Sequence, residues 1–450
     1  MDDLLFNSVY AGFSEWMLGK FPSAASHVFL VALSGGADSV ALLKLMVRLR
    51  EDHPFALMAA HVHHGLRGEN ADLDERFCAF ICEEWRVSLI RKRAMNLQEG
   101  AGLEEKARNV RYLLLKEAYR ECGAEALVMA HHANDQAETL LMRLMRGSGA
   151  GGLGGIRGDT VRDGIRIVRP LLLLPRALIE ALGIVHREDE SNLTADNLRN
   201  ILRLRVMPEL EHIMPGAAAR MARTAAIAAC EDDYMNEISA RMIDGHAYIG
   251  VERLEGLHPA VLRRVLRMFT GLALDAATSF KLERLIRSKP GTKVNLPSGF
   301  TAERGYRYLF LPDKVRPVKP IADTEPWIPS HGFGDGRRTQ VMPAGCYKRS
   351  EWRYWQKGDM ICPFGQTGHK SLQDYFTDMK VDRPFRAIIP LLCRDHEVMW
   401  APGLGVSESA RAAAHDNVML TAGHDMPWLT DDAYISDKGA EQHGNDIRAI

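Results

Sequence analysis

Between residues 28 and 172, short apolar runs alternate with stretches in which apolar positions recur every three or four residues. VFLVAL, residues 28–33, is a run apolar enough for a strand buried on both faces. SGGADS interrupts it, and VALLKLMVRLR then resumes with helical spacing, which predicts strand, tight loop, helix. The same reading places a strand over 55–62 (FALMAAHV), helices over 72–84 and 103–121, and a weak strand near 87–90. A further strand over 126–130 leads into a helix within HHANDQAETLLMRLMRG, and IRIVRPLL, residues 165–172, closes the series. Strands alternating with helices in this way predict an α/β fold with a mostly parallel sheet, and a ligand crevice where loops leave the strand ends. SGGADS, HHGLRG and HHANDQAET follow three of those strands, so three loops distant in sequence are expected to meet.

After Pro170 the texture changes. LLLLPRALIEALG and TADNLRNILRLRVMPELEHIMP predict helices that leave the sheet, with stops at Pro208 and Pro215, and residues 217–240 are alanine-rich and helical in character. From about residue 340 short segments with frequent Gly and Pro predict a small α+β domain. The expected organisation is a catalytic domain over 1–215, a helical substrate-binding domain over 216–320, a C-terminal domain over 321–425 and an acidic tail over 426–450.

Composition changes this picture in two places. The 57 Lys and Arg balance the 58 Asp and Glu over the whole chain, yet between His258 and Lys319 there are 13 basic and four acidic residues, a candidate polyanion-binding face that the average conceals. No apolar run approaches the length needed to cross a bilayer and the N-terminus begins acidic, so a cytoplasmic protein without membrane partners is expected. The seven cysteines include no CxxC pair, which points to reduced structural thiols and not to a zinc or iron–sulfur centre.

SGGADS lacks the lysine and the spacing of the common GxxxxGK[ST] loop and is not a GxGxxG fingerprint. Gly35 and Gly36 expose backbone N–H groups without a side-chain barrier, and Ser34 and Ser39 add hydroxyls beside the positive end of the next helix, so a pyrophosphate group is the natural occupant. Asp38 would repel that anion unless it held Mg²⁺ or organised the loop. A plain strand-to-helix turn and a solvated helix start are the simpler readings of SGGADS and of the Asp135–Glu138 pair taken singly.

In order along the chain, VALSGGADSVALL, HVHHGLRG, GLEEKARNVRY, HHANDQAETLLMRLMRGSGAGGLGGI, IVRPLL, EDESN and RNILR resemble the PP-loop (N-type) ATP pyrophosphatase superfamily and, within it, the tRNA(Ile)-lysidine synthetase family. LHPAVLRRVLR, GDMICPFGQTGHKSLQDYF and IPLLCRDHEVMWAPGLGV extend the resemblance over nearly the whole chain except the acidic tail. It implies ATP-dependent ligation of free L-lysine to C2 of the wobble cytidine in the CAU anticodon of tRNA(Ile), through an adenylated intermediate, with release of AMP and pyrophosphate.

The resemblance implies that Ser34, Gly35, Gly36, Asp38 and Ser39 bind ATP, that His63 and Arg67, within the His63–Arg67 loop, contact the nucleotide, and that Asp38 holds Mg²⁺. His132, Asp135 and Glu138, with Asp38 and Arg108, are the implied catalytic set. Arg111, Tyr112, Asp189, Ser191, Asn192, Arg199, Asn200 and Arg203 map onto family segments, and Arg111, Arg199, Arg203, Arg263, Arg264, Arg267, Lys370 and Arg386 are the tRNA-binding candidates. The family commonly has two consecutive acids where this chain has Asn134 and Asp135. A homodimer is compatible with the sequence. Two other functions stay open: a PP-loop thiolase of tRNA, for which no CxxC offers a sulfur route, and an RNA-binding protein whose affinity ATP alters.

Overall fold

The computed structural model describes residues 3–23, 26–63, 69–94, 103–187, 197–243, 247–317, 322–326, 334–412, 416–422 and 428. The chain divides into two compact units, Met1–Tyr234 and Met235–Ile450. The acidic tail, apart from Trp428, lies outside the described residues.

In the first unit the elements run α1 (Asp3–Lys20), β1 (Val28–Ala32), α2 (Ala37–Asp52), β2 (Ala56–His63), α3 (Glu69–Glu84), β3 (Ser88–Arg93), α4 (Leu103–Glu121), β4 (Ala126–Val128) and α5 (Ala133–Met145). Then come α6 (Ala150–Leu153), β5 (Asp159–Arg162), β6 (Ile165–Val168), α7 (Arg176–Ala181), α8 (Leu198–Ile201), a π-helical stretch Leu202–Val206, α9 (Met207–Ile213) and α10 (Ala217–Ala240), whose residues after Tyr234 fall in the second unit. The sheet order is β3-β2-β1-β4-β6-β5, parallel except for the β5–β6 hairpin.

Strand alternation divides the core. Phe29 and Val31 belong to one buried cluster with Phe13, Leu42 and Met46, whereas Leu30 belongs to another with Leu115, Leu127 and Ile167, so β1 is covered on both faces as its apolar run predicts. The N-terminal helix was not part of the expected series, although Phe6, Val9, Phe13 and Met17 are its buried positions and recur at helical spacing. The hairpin between β5 and β6 is also additional. Its turn is Asp163-Gly164, both at positive φ (50° and 78°), the conformation that a tight two-residue hairpin demands. The strand expected over 165–172 stops at Val168, just before Pro170, which has no N–H to continue a ladder.

The second unit contains the middle helices together with an antiparallel sheet that the sequence reading did not anticipate. Tyr248–Gly250, Tyr308–Phe310, Thr301–Arg304 and Lys293–Asn295 are neighbours in that order. The helices Val251–Glu255, Pro259–Thr270 and Ala276–Ile286 share its core through Leu254, Val265, Phe269, Leu282 and Leu285. The C-terminal part is α+β, with one sheet built around Leu391–Arg394 and Glu397–Ala401 and a three-stranded sheet centred on Asn417–Ala422. Trp400 is fully buried and its indole N–H donates to Gly336 O at 3.1 Å, so it is a core residue.

Candidate active site

The glycine–serine loop leaves β1 and enters α2 at its N-cap, Gly36. Gly35 sits at φ +93°, a conformation that side-chain-bearing residues rarely adopt, so the backbone turn calls for glycine there. Ser39 Oγ donates to Gly36 O at 3.0 Å and accepts from Ser34 N at 3.1 Å, while the two serine hydroxyls lie 3.0 Å apart. These bonds tie the loop into a closed cradle around the start of α2, whose N-cap makes no side-chain capping bond. Anions are favoured at such a helix end.

Asp38, in the first turn of α2, faces the loop that leaves β4. Its Oδ2 is 3.6 Å from His132 Nε2, and its Oδ1 is buried without a hydrogen-bond partner among the described residues. His132 caps α5 reciprocally: its Nδ1 accepts from Asp135 N at 3.3 Å, and Asp135 Oδ2 accepts from His132 N at 3.1 Å. That places the neutral ring's hydrogen on Nε2, pointing at acids. Burial opposes charge on the ring, but Asp38 and Asp135 outweigh it and raise the His132 pKa above its ordinary value. Protonation on Nδ1 would cost the bond from Asp135 N, so the backbone and the carboxylates pull in opposite directions.

Asp135 and Glu138 meet two arginines. Arg199 Nε donates to Glu138 Oε2 and its Nη2 to Asp135 Oδ1, both at 2.8 Å; Arg203 Nε donates to Glu138 Oε1 at 2.8 Å and its Nη2 to Asp135 Oδ1 at 3.1 Å. Burial works against the Asp135 carboxylate, yet His132 and Arg199 hold its pKa down at about 2. The π-helical stretch Leu202–Val206 begins three residues after Arg199 and contains Arg203. Such stretches concentrate at functional sites. The sequence reading turned Arg199 and Arg203 toward tRNA phosphate; the structure engages both guanidinium groups with carboxylates, where opposite charge and fork geometry match best.

Asn134 stands where the family commonly has a second acid. Its Oδ1 accepts from Arg176 N at 3.0 Å, at the first residue of α7, a bond that asks only for an oxygen and no charge. Gln136, a residue the sequence reading passed over, braces the glycine-rich loop after α5: it donates to Gly154 O and Ile156 O and accepts from Ile156 N. At Gly155 an added Cβ would come within 2.4 Å of Gln136.

Other expected site residues fall elsewhere. His63 is buried with Nε2 at 3.1 Å from Asp72 Oδ1, on α3. Arg67, with His64, Gly65 and Leu66, and also Asp189, Ser191 and Asn192, lies outside the described residues. Arg108 and Arg111 are exposed on α4. In the second unit Arg263 is exposed and pairs with Glu283, and Arg267 is exposed. Arg264 departs from the expected docking face, because it is buried and donates to Asn236 Oδ1 at 2.9 Å. Lys370 pairs with Asp378. Arg386 donates to Val381 O and Thr377 Oγ1 beside a cavity of ≈ 250 Å³ that Arg304, Asp382 and Arg383 also line.

A strand–loop–helix phosphate cradle at the crevice of a parallel sheet, with a carboxylate in the helix's first turn, defines a PP-loop ATP-using domain. The family profile described as "PP-loop domain" matches residues 14–210, and that described as "TilS substrate C-terminal domain" matches residues 351–421. The chain is 34% identical over 435 residues to a tRNA(Ile)-lysidine synthase of Geobacter sulfurreducens, covering 87% of this chain and 91% of the relative. It is 30% identical to that of Dehalococcoides mccartyi (86% and 93% covered) and 41% identical over 220 residues to that of Escherichia coli O157:H7 (48% and 50% covered). The chain belongs to the tRNA(Ile)-lysidine synthase family of ATP-using ligases. No described helix is long and apolar enough to cross a membrane.

Proposed function

We propose that the protein joins free L-lysine to C2 of the wobble cytidine in the CAU anticodon of tRNA(Ile). In the first step the cytosine O2 attacks the α-phosphorus of ATP, forming an O–P bond and releasing pyrophosphate. In the second, the lysine ε-amine forms a C–N bond at C2, the C–O bond breaks, AMP leaves and the amine proton passes to solvent. The observation that carries this reading is the convergence of Asp38, His132 and Asp135 within 3.6 Å contacts beside the phosphate cradle, inside a chain of this family.

Ser34, Gly35, Gly36 and Ser39 then hold the phosphates, and His132 donates from Nε2 toward the acids or an incoming phosphate oxygen. Asp135 and Glu138 face the base, Arg199 helps to keep Asp135 ionised, and the hydrogen bonds from Arg199 and Arg203 orient both carboxylates. Asp38 suits Mg²⁺ because its buried Oδ1 lacks a partner among the described residues, and a phosphate-bound Mg²⁺ needs only one or two carboxylates. Bound there, the ion would neutralise charge on the leaving pyrophosphate. The proposed organisation is catalysis within residues 1–215 and tRNA docking through 216–320 and 321–425, with Arg263 and Arg267 as docking residues.

Incubation of the full chain with tRNA(Ile) bearing CAU, ATP, Mg²⁺ and labelled lysine tests the reading by nucleoside mass. Added lysine with AMP and pyrophosphate supports it; added sulfur, no covalent product, or ADP and phosphate overturns it. Asp38→Ala should slow pyrophosphate release on the order of 100-fold while circular dichroism stays unchanged. Near-normal release by the folded variant would remove Asp38 from the proposal.

A further inference from the structure

The glycine–serine loop is held at its two ends by the sheet and by α2, and in its middle by a residue from far along the chain. At the entry Leu33 N donates to Ala60 O at 2.9 Å and Leu33 O lies 3.0 Å from His61 Nδ1, so β2 fixes the residue that precedes the loop. At the exit Gly36 O accepts from Ser39 N and Val40 N, both at 3.1 Å, in the first turn of α2. Between them stands the Gly35 carbonyl, which accepts from Arg187 N at 3.0 Å.

That bond sets the direction of the next N–H. In a trans peptide the C=O and the N–H point to opposite sides, so holding Gly35 O toward Arg187 turns Gly36 N–H away from it and toward Ser34 Oγ, 3.4 Å off. A contact of that length is weak, and it leaves the N–H able to take a phosphate oxygen instead. Glycine itself does not enforce this orientation, because Gly35 can adopt either sign of φ at little cost. The partner of its carbonyl therefore decides which way the peptide faces.

Arg187 is in turn held through its side chain. Residues 184–187 form no helix or strand, and their one backbone-to-backbone hydrogen bond among the described residues is the bond to Gly35 O. The Arg187 Nε donates to Asp74 Oδ1, on α3, at 2.5 Å. The loop rests on that same helix: a methyl group at Gly35 would lie 3.4 Å from Cys78 Sγ, 3.6 Å from the Phe77 ring and 3.9 Å from Asp74 O, ordinary contact distances. Loop, helix and Arg187 thus meet at one place, and the ion pair there fixes the donor that fixes Gly35. The two side chains are 32% and 26% exposed, a setting in which an ion pair adds little to global stability, so the effect of this one is local.

We propose that the Arg187–Asp74 pair clamps the phosphate loop, holding the Gly35–Gly36 peptide in the orientation that presents Gly36 N–H to the pyrophosphate end of ATP, which makes both positioning residues. The inference rests on the placement of ATP proposed above. It adds two residues that touch no substrate and a consequence for specificity: the clamp acts only on the β- and γ-phosphates, so it favours ATP over the AMP that the reaction releases.

The test is equilibrium binding to the full chain, by calorimetry with Mg²⁺ present, of three probes: α,β-methylene-ATP, inorganic pyrophosphate and AMP. Arg187→Gln should weaken the ATP analogue and pyrophosphate about tenfold, the worth of one hydrogen bond to a charged group, and leave AMP unchanged. Asp74→Asn should do the same, and the double variant should bind no worse than either single one, because each change alone breaks the pair. Arg187→Lys keeps a cation for Asp74 and should recover part of the loss. In turnover KM for ATP should rise by the same factor while KM for tRNA and for lysine stay unchanged. A merely structural role for Arg187 would instead weaken AMP as much as the ATP analogue and lower the urea midpoint. If Arg187→Gln folds poorly, Asp74→Asn, nearly identical in shape to the wild type, makes the same comparison. Equal losses for AMP and the ATP analogue, additive losses in the double variant, or unaltered analogue binding by the folded variants would overturn the clamp. Failure of the wild type to bind the ATP analogue would sink the placement of ATP itself.

Discussion

Charged side chains do different work in the two units. In the first, Glu138 is 1% exposed and Asp135 12%, and each meets two guanidinium groups that are themselves three-quarters covered. In the second, Arg263 pairs with Glu283 while 59% exposed, and Lys370 with Asp378 while both are more than a third exposed. Exposed pairs of that kind contribute about 0–1 kcal/mol and are screened by salt. A buried set is different, because its members have left water and removal of one strands the others. The first arrangement fixes geometry; the second leaves positive charge accessible to a partner.

The sharpest way to break this contrast is Glu138→Ala. It leaves Arg199 and Arg203 sharing Asp135 alone, and should lower the unfolding free energy of the chain by about 3 kcal/mol in urea titration. The corresponding loss for Lys370→Ala should be too small to measure. Equal losses would mean that burial does not separate the two sets.

Acid–base behaviour sharpens the comparison next. Asp135 has its pKa depressed to about 2, so its stabilising contribution is complete above the unfolded carboxylate value near 4 and is lost as pH falls from about 4 to about 2. Asp382, in the second unit, is 3% exposed, and burial raises it to about 6 even though it accepts from Tyr306 N and Arg307 N. Here the folded chain holds a proton that the unfolded chain has released between pH 4 and 6, so stability falls as pH rises through that window, by about 2 kcal/mol at its upper end. Asp382→Asn keeps an acceptor and removes the charge. It should abolish this slope and leave the acid-side loss from Asp135 in place, as measured by urea midpoints from pH 3 to 8. A wild-type profile flat between pH 4 and 6 would refute the assignment.

How far the sequence could be read follows the same division. The strand–loop–helix of SGGADS and the capped start of α5 depend on neighbours in sequence, so glycine, serine and apolar spacing announce them. The Asp163-Gly164 turn is equally local and carries a hairpin signal, whereas the apolar run after it, without its turn, reads only as a single strand. Arg199 and Arg203 show their i, i+4 spacing plainly, whereas Glu138, their partner, lies 61 and 65 residues away, and no local pattern says which acid a helix will face. The middle sheet was hidden for a related reason: its strands are three or four residues long and pair across up to some sixty residues, so no period of two has room to show.

The smallest effect separates two adjacent residues that charge density alone treats alike. Arg263 and Arg264 differ by one step around helix Pro259–Thr270, which turns Arg263 outward with Arg267 and Arg264 inward against Asn236. The double change Arg263→Gln and Arg267→Gln removes two exposed charges, so the urea midpoint should stay within error. Binding of the tRNA should lose about one to two units of its logarithmic salt slope, as expected for two phosphate contacts. Arg264→Gln should do the reverse, with a salt slope unchanged and a stability loss of about 1 kcal/mol from a buried polar contact. If Arg264→Gln also flattens the salt dependence, the helix presents all three arginines to the nucleic acid and the inward position seen here is not the one used in binding. If the double variant binds tRNA with an unaltered slope, the basic middle region is a solvated surface and docking must reside in other residues.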